Sequence, residues 1–303
     1  MPVFNHPNPD PLPSRRRFFC QCLSSSLAPP ATVALGACGP VPMETAFEVQ
    51  RDLRYGPLPE QLADVWRPRL RWRREAPGVL MIHGGGWQEG VRADMEECLC
   101  RWFLDRGFTV ANVEYRLAPL HRAPAAILDV RLAASWFVST AKQWGLAADR
   151  LVLCGASAGG HLALMAGLPP DEAGFGHAPR PRAIVDLWGI SDLGALLDHP
   201  VAGRLVRDWI APFESRQELL RMGLTYSPLS YVRSELPIVL SIHSRLDPVV
   251  PFDQSRRLDQ ALRGAGNSSQ LVTLEGRAHG NVNWETVHAH LARFFDARAG
   301  IAG

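Results

Sequence analysis

The chain has 303 residues, of which 47% are hydrophobic and 20% are charged, a balance that allows one large buried core. Its formal net charge of +2 carries no signature of nucleic-acid binding, so we expect no nucleic-acid partner. The sequence contains no apolar run of about 20 residues, the length that a membrane-spanning helix needs, so we expect no stable span.

The first 37 residues predict an export signal. Three arginines at residues 15–17 precede the apolar pair Phe18 and Phe19, which resembles the twin-arginine signal of bacteria. A moderately apolar region over 23–37, interrupted by serines and prolines, is typical of the apolar part of a signal peptide. The alternative is a disordered, proline-rich N-terminus with a chance arginine triplet.

The signal region ends in the sequence Leu-Gly-Ala-Cys at residues 35–38, which resembles a lipoprotein box. This predicts cleavage before Cys38 and attachment of lipid to its thiol, which would tether the protein to a membrane without spanning it. We therefore expect an exported protein, periplasmic or anchored to the cell envelope of a bacterium. Residues 38–45 are then a linker to the folded domain.

Residues 46–299 predict one α/β domain with a mostly parallel central sheet flanked by helices. Helical patterns alternate with the later strands, and the strand over 78–82 is apolar throughout, as expected of a strand buried on both faces. Eight segments have strand character: 47–53, 61–66, 78–82, 108–115, 151–154, 182–188, 237–243 and 270–275. Helical segments are expected at 93–106, 124–144, 160–167, 252–265 and 283–296.

Residues 190–235 interrupt this alternation with short helical pieces, at 202–210 and 217–222, and no strand. An insertion at the C-terminal edge of a parallel sheet lies where ligands bind in such folds. We predict that it forms a short helical lid or a pocket wall; the alternative is that it only pads the fold.

A candidate nucleophile, Ser157, lies between a buried strand and a helix. The apolar strand 151–154 leads into the sequence Gly-Ala-Ser-Ala-Gly at 155–159, and a helical segment follows. A serine at the apex of a strand–turn–helix unit is the context of a nucleophile elbow, in which a side chain at Gly155 or Gly159 would collide with a neighbouring strand or helix. Chance alone gives about 0.1 such patterns in a chain of this composition, so the motif needs support.

A serine hydroxyl needs a base and a third group that orients the base. In a fold with a nucleophile elbow, the acid and then the histidine are expected after later strands, so that the order along the chain is serine, acid, histidine. Asp247 follows the strand that ends at His243, and His279 follows the last strand. Two rivals for the acid are less suited: Asp253 fits the first turn of the next helix, and Glu275 lies too near the last strand. We predict Ser157, His279 and Asp247 as the catalytic residues.

An oxyanion also needs hydrogen-bond donors. Three glycines follow the strand 78–82, and their small size lets backbone N–H groups approach a substrate. We predict an oxyanion hole made by the N–H groups of Gly85, Gly86 and Ala158. Trp87, the next residue in the glycine loop, is predicted to contact the substrate, with a purely structural position as the alternative.

The histidines and cysteines outside this set do not have the spacing of metal ligands. His288 and His290 are two apart on a predicted helix and point in different directions, and no Cys or His spacing indicates zinc. His161 is expected to pack beneath the elbow. We therefore expect no metal site.

Together these motifs resemble the α/β-hydrolase superfamily, over about residues 46–299. The nearest branches are the HGGG-type esterases related to hormone-sensitive lipase and the feruloyl-esterase-like group. Ala156 departs from the acidic residue common in the first branch, and Ser244 replaces a common glycine. The motifs are His-Gly-Gly-Gly-Trp at 83–87, Tyr-Arg-Leu-Ala-Pro at 115–119, Asp-Arg at 149–150, Gly-Ala-Ser-Ala-Gly-Gly-His at 155–161, Asp-Pro-Val-Val-Pro at 247–251 and Ala-His-Gly at 278–280.

The resemblance implies hydrolysis of small-molecule carboxylic esters without metal or cofactor, with His83 shaping the glycine loop. The expected activity is that of a serine carboxylesterase working through an acyl-enzyme. Two alternatives stay open: an amide hydrolase such as an arylformamidase or a small peptidase, and a non-catalytic binding protein on the same fold.

Overall fold

Eight strands form a single sheet in the order β1-β2-β4-β3-β5-β6-β7-β8 in a computed structural model that describes residues 47–69 and 75–302. The pairs β1/β2 and β2/β4 are antiparallel, and all other pairs are parallel. Each predicted strand is present, which confirms the α/β prediction. The strands are β1 (Phe47–Arg54), β2 (Leu62–Pro68), β3 (Ala76–Ile82), β4 (Thr109–Val113), β5 (Leu146–Ala156), β6 (Ala183–Leu187), β7 (Ile238–Ser244) and β8 (Ser269–Leu274).

Helices follow the strands as predicted at most positions, with two departures. The segment predicted as one helix over 93–106 consists of a 3-10 helix (Arg92–Met95), a π-helix (Glu96–Cys100) and a short α-helix (Arg101–Leu104). The predicted helix over 124–144 is interrupted at Thr140, whose hydroxyl donates to the Trp136 carbonyl over 2.8 Å, and Gly145 then ends the segment with a φ of 63°. The helices are α1 (Arg101–Leu104), α2 (Ala125–Ser139), α3 (Ala141–Trp144), α4 (Ala158–Gly167), α5 (Ala202–Ile210), α6 (Arg216–Thr225), α7 (Asp253–Gly264), α8 (Trp284–Asp296) and α9 (Ala299–Ala302).

The parallel strands are buried on both faces because each face has its own apolar core. In β3, Leu80 and Ile82 pack with α2 and α4, whereas Val79 and Met81 pack with α1 and α8. All four side chains are at most 1% exposed. The continuous apolar run of the sequence is thus two sets of alternating residues, one for each core.

The loops that carry the candidate site residues meet at one edge of the sheet. Strands β3, β5, β6, β7 and β8 are mutually parallel, so the segments after their C-terminal ends lie side by side. The insertion over 190–235 follows β6 and contains α5, α6 and the short turns Gly194–Leu196 and Pro228–Tyr231, with no strand in that interval. Its action as a lid stays a prediction.

The predicted export signal, the linker 38–45 and Cys38 lie outside the described residues. Among the residues that are described, no helix combines the length and the apolar character that crossing a bilayer requires.

Candidate active site

Ser157 lies at the junction of β5 and α4 in a strained conformation. Its φ of 56° and ψ of −120° fall in a region that residues other than glycine rarely adopt, at a cost of about 1–3 kcal/mol. The backbone N–H donates to the Leu187 carbonyl at the end of β6 over 2.8 Å, and this bond helps to hold the turn. The residue is buried, with 7% of its surface exposed.

The elbow glycines are required by close backbone contacts. A Cβ on Gly155 would lie 2.2 Å from the Gly159 carbonyl oxygen in α4, and one on Gly159 would lie 2.2 Å from the Ile82 carbonyl oxygen in β3. Real Cβ atoms do not approach backbone oxygens this closely. Both collisions were predicted from the sequence, and α4 can pack against β3 only because these side chains are absent.

The structure brings Ser157, His279 and Asp247 into one hydrogen-bonded chain. His279 Nε2 lies 2.9 Å from Ser157 Oγ, and His279 Nδ1 lies 2.8 Å from Asp247 Oδ2. A carboxylate only accepts, so Nδ1 carries the proton and Nε2 is left to accept from the serine hydroxyl. This is the arrangement in which an imidazole can remove the hydroxyl proton.

Asp247 is held charged although its side chain is fully buried. Burial alone would raise the pKa of this carboxyl, but hydrogen bonds from His243 and His279 outweigh it and lower the pKa to about 2. Oδ1 also accepts from the backbone N–H groups of Val249 and Val250, at 2.8 and 2.9 Å. The carboxylate is therefore fixed in place and ready to orient His279.

His243 is a neighbour of the site that the sequence reasoning did not assign. It lies at the end of β7 with no exposed surface, and its Nε2 is 2.9 Å from the Val250 carbonyl and 3.4 Å from Asp247 Oδ2. Its Nδ1 is 2.7 Å from Ser255 Oγ. The only signal in the sequence was its position at the end of the strand before Asp247.

The glycine loop after β3 is anchored from below by His83. This imidazole is fully buried, stacks on the Tyr115 ring at 4.2 Å between centroids, and lies 3.5 Å from the Glu114 carboxylate. The Tyr115 hydroxyl donates to the His83 carbonyl over 3.0 Å. Burial opposes ionisation of Glu114, yet His83 and Arg92 together lower the pKa of that carboxyl. These contacts fix His83 in place, so that it anchors the start of the glycine loop.

The predicted oxyanion donors lie on the glycine loop and at the start of α4. Gly85 and Gly86 have φ values of 111° and 59°, which other residues rarely adopt. Ala158 is the first residue of α4, so its N–H lacks a partner within the helix. Within residues 47–69 and 75–302, no hydrogen bond uses the N–H of these three residues. A Cβ on Gly86 would lie 3.2 Å from Leu205 of α5, which covers the loop.

Trp87 continues the glycine loop but lies inside the protein. The residue is 1% exposed, and its ring stacks on Trp209 of α5 with centroids 4.6 Å apart and planes 13° apart. Its indole N–H donates to His161 Nδ1 over 3.1 Å. Little of the indole is therefore offered to a substrate, and its predicted contact with substrate stays a prediction.

The rival acids are solvent-exposed and paired with arginines in the structure. Asp253 opens α7 and pairs with Arg256, and its side chain is 48% exposed. Glu275 is 79% exposed and pairs with Arg245. In the described part of the chain, no three His, Cys, Asp or Glu side chains are grouped so that they could hold a metal ion.

Comparison with known proteins agrees with this architecture. The BD-FAE family model matches residues 63–262. Esterase LipC of Mycobacterium tuberculosis is 30% identical over 241 residues, which cover 76% of this chain and 59% of LipC. Carboxylesterase NlhH of the same organism is 29% identical, with coverage of 73% and 71%. The chain thus spans little more than half the length of LipC.

A solved structure shows the same fold. The butyrate-bound esterase Est2 of Thermogutta terrifontis superposes with a TM-score of 0.68 at 24% identity, over 84% of this chain and 95% of Est2. At this level of identity the likeness establishes the α/β-hydrolase fold. The family match covers most of the domain, from β2 to α7, and includes the elbow and Asp247. The chain therefore belongs to the BD-FAE family and has the α/β-hydrolase fold.

Proposed function

We propose that this protein is a serine carboxylesterase that hydrolyses carboxylic esters of small molecules through an acyl-enzyme. The observation that carries the proposal is the continuous chain of hydrogen bonds from Ser157 through His279 to Asp247, at 2.9 and 2.8 Å. The names of the relatives LipC and NlhH favour the same activity.

In the proposed reaction, His279 Nε2 takes the proton of Ser157 as Oγ attacks the ester carbonyl carbon. Asp247 stabilises the imidazolium that forms, and its low pKa keeps it charged for this purpose. The tetrahedral oxyanion is stabilised by the N–H groups of Gly85, Gly86 and Ala158. The loss of one such donor typically costs about 10²–10³ in rate.

The imidazolium then returns its proton to the alkoxide leaving group, which departs as the alcohol and leaves Ser157 acylated. Water enters, His279 removes one of its protons, and the hydroxide attacks the acyl carbon. Collapse of this second intermediate releases the acid and restores the Ser157 hydroxyl. Apart from the ester and one water molecule, each step uses only the side chains and backbone groups named above.

Esters with short acyl chains are the first substrates to test. Est2 has been solved with butyrate and with propionate bound. In this chain Leu205 lies against Gly86, which limits the space above the glycine loop. We propose that acetyl to butyryl esters are turned over faster than long-chain esters.

The test compares the protein with Ser157→Ala on p-nitrophenyl butyrate. We expect turnover by the variant to be about 10⁵–10⁶-fold slower. Without the serine, the ester can react only by direct attack of water, and in such sites that reaction is slower by about this factor. A fluorophosphonate probe should label the unaltered protein and not the variant. Equal turnover by the two proteins would refute the assignment. Faster cleavage of the matching butyryl anilide than of the ester would instead indicate an amide hydrolase.

A further inference from the structure

His161 lies between the glycine loop and the helical insertion, and the proposed reaction gives it no role. It is on α4, one turn after Ser157, and its backbone N–H donates to the Ser157 carbonyl over 3.0 Å. The side chain has no exposed surface.

Its two ring nitrogens are bonded to two different segments of the chain. Nδ1 lies 3.1 Å from the indole nitrogen of Trp87, in the glycine loop. Nε2 lies 2.8 Å from the carbonyl oxygen of Tyr226, which directly follows α6 within the insertion. The imidazole therefore bridges segments that are 139 residues apart in sequence (226 − 87).

The two partners fix the protonation of the ring. An indole N–H can only donate, so Nδ1 must be bare, and a carbonyl can only accept, so Nε2 must carry the proton. A protonated ring would lose the bond from Trp87. Burial supports the neutral form, because it lowers the pKa of His161 to about 4 although the Tyr226 carbonyl opposes the shift.

Aromatic rings enclose this bridge. Trp87 stacks on Trp209 of α5, and the imidazole meets both indoles edge-on, at 89° and 84° with centroids 5.2 and 5.3 Å apart. Trp209 in turn contacts the Tyr226 ring at 5.7 Å. All of the rings except that of Tyr226 are at most 1% exposed. The loop, α5 and the end of α6 thus converge on His161.

We propose that His161 is a positioning residue that sets the glycine loop and the helical insertion against the nucleophile helix α4. By holding Trp87, it fixes the backbone that presents Gly85 and Gly86 to the oxyanion. By holding Tyr226, it fixes the insertion that places Leu205 over the same loop. The inference rests on the proposed esterase function, because the position of the oxyanion loop affects catalysis only if the protein hydrolyses esters in this way.

The central test is His161→Leu, which keeps the bulk and removes both hydrogen bonds. We expect kcat for p-nitrophenyl butyrate to fall by about 10- to 100-fold, because a displacement of about 1 Å at a reacting centre costs this much. KM should change by less than about threefold, since the lost alignment acts mainly in the transition state. The control is His177→Leu, a histidine whose side chain is 74% exposed, which should leave kcat unchanged.

A conservative variant separates alignment from general packing. In His161→Asn the amide oxygen takes the place of Nδ1 and can accept from Trp87, although the side chain no longer reaches Tyr226. We expect kcat of His161→Asn to be at least about tenfold higher than kcat of His161→Leu. Equal losses in the two variants, or kcat of His161→Leu within about threefold of the unaltered protein, would overturn the proposal.

A double-mutant cycle isolates the hydrogen bond between Trp87 and His161. Trp87→Phe removes the indole donor and keeps a ring that can stack on Trp209. If the hydrogen bond carries the effect, the double variant with His161→Leu should have no lower kcat than His161→Leu alone. Fully additive losses would contradict the proposal.

Failure of the esterase assignment would be visible separately, as absence of ester turnover by the unaltered protein. In that case hydrogen exchange of the backbone amides at 84–90 tests the positioning role directly. Faster exchange in His161→Leu than in His177→Leu would support it, and equal exchange would refute it.

Discussion

At the scale of single residues, the strain at Ser157 is balanced by its surroundings. A conformation that costs about 1–3 kcal/mol persists only where neighbouring contacts fix the backbone. Here the Ser157 N–H is bonded to the Leu187 carbonyl, and its carbonyl accepts from His161. Both bonds come from elements that are themselves buried, so the serine side chain is held at the apex of the turn.

Asp186 is a buried carboxyl in β6 beneath the elbow. Oδ1 accepts from the Gly189 N–H and Oδ2 from the Ser241 hydroxyl, each over 3.0 Å. Burial raises the pKa of Asp186 from 3.8 to about 6, although His243, Ser241 and Gly189 all oppose the rise. Between pH 3.8 and about 6 the folded protein therefore keeps a proton that the unfolded chain releases.

Because the folded state binds the extra proton, this group makes the free energy of unfolding decrease as pH rises through that window. Asp186→Asn keeps an acceptor for Gly189 and offers a donor to Ser241. We expect the variant to be more stable than the unaltered protein at pH 7.5, on the order of 1–2 kcal/mol, and to show no such gain at pH 4. Urea unfolding at several pH values measures the difference.

The matched control for this change is Asp208→Asn, at a side chain that is 51% exposed on α5. It should alter stability by less than about 0.5 kcal/mol at any pH between 4 and 7.5. If Asp186→Asn and Asp208→Asn gave the same dependence of stability on pH, burial of the Asp186 charge would not be the cause.

At the scale of elements, the approach of α4 to β3 depends on Gly159. A Cβ there would lie 2.2 Å from the Ile82 carbonyl oxygen and 2.4 Å from that of His83, and neither backbone atom can rotate away. We expect Gly159→Ala to destabilise the protein by about 2–3 kcal/mol or more and to reduce ester turnover by about 100-fold, because α4 carries Ser157 and Ala158. Thermal unfolding and kcat measure the two effects.

Gly264 provides the comparison, since it is also a helical glycine but a Cβ there would meet no atom within 4 Å. Gly264→Ala should be neutral or stabilise by up to about 0.5–1 kcal/mol, because alanine favours the helix. A Gly159→Ala variant as stable and active as Gly264→Ala would mean that α4 and β3 are not in close contact at Gly159.

The two helices of the insertion differ in how they meet the domain. Helix α5 contributes Trp209 to the buried stack with Trp87 and Leu205 to the cover of Gly86. Helix α6 leaves Leu220 and Leu224 exposed, at 42% and 59%. The contact with the candidate site is therefore made by α5 and by Tyr226 rather than by the body of α6.

At the scale of the whole molecule, we propose that the chain is exported and that Cys38 is lipidated. The support is the arginine triplet at 15–17, the apolar stretch that follows it and the lipoprotein-like residues at 35–38. In a bacterial host with twin-arginine export, replacing Arg15, Arg16 and Arg17 by lysine should keep the protein in the cytoplasm at unchanged charge. Cell fractionation and ester turnover in each fraction measure this.

Cys38→Ala should leave export intact and remove labelling by radioactive palmitate, with release of the protein from the membrane fraction. Cys154, which is fully buried in β5, is the control position because its thiol is inaccessible, so Cys154→Ala should leave labelling unchanged. Palmitate label retained in Cys38→Ala would exclude this cysteine as the lipid site.

The sequence by itself determined the fold class, the eight strands and the candidates Ser157, Asp247 and His279. It could do so because apolar runs mark buried strands, and because a serine flanked by glycines, after an apolar strand and before a helical segment, is the pattern of a nucleophile elbow. The order of these residues along the chain then restricted the acid and the base. Local patterns of this kind are properties of short segments, and a sequence displays them directly.

Only the tertiary structure decided which distant side chains touch. No local sequence pattern indicates the strand order, in which β4 lies between β2 and β3. The same holds for His243 beside Asp247 and for the packing of the Trp87 ring against Trp209 and His161. These contacts join segments far apart in the chain, so they depend on how helices and loops pack over the sheet, which no local pattern of residues records.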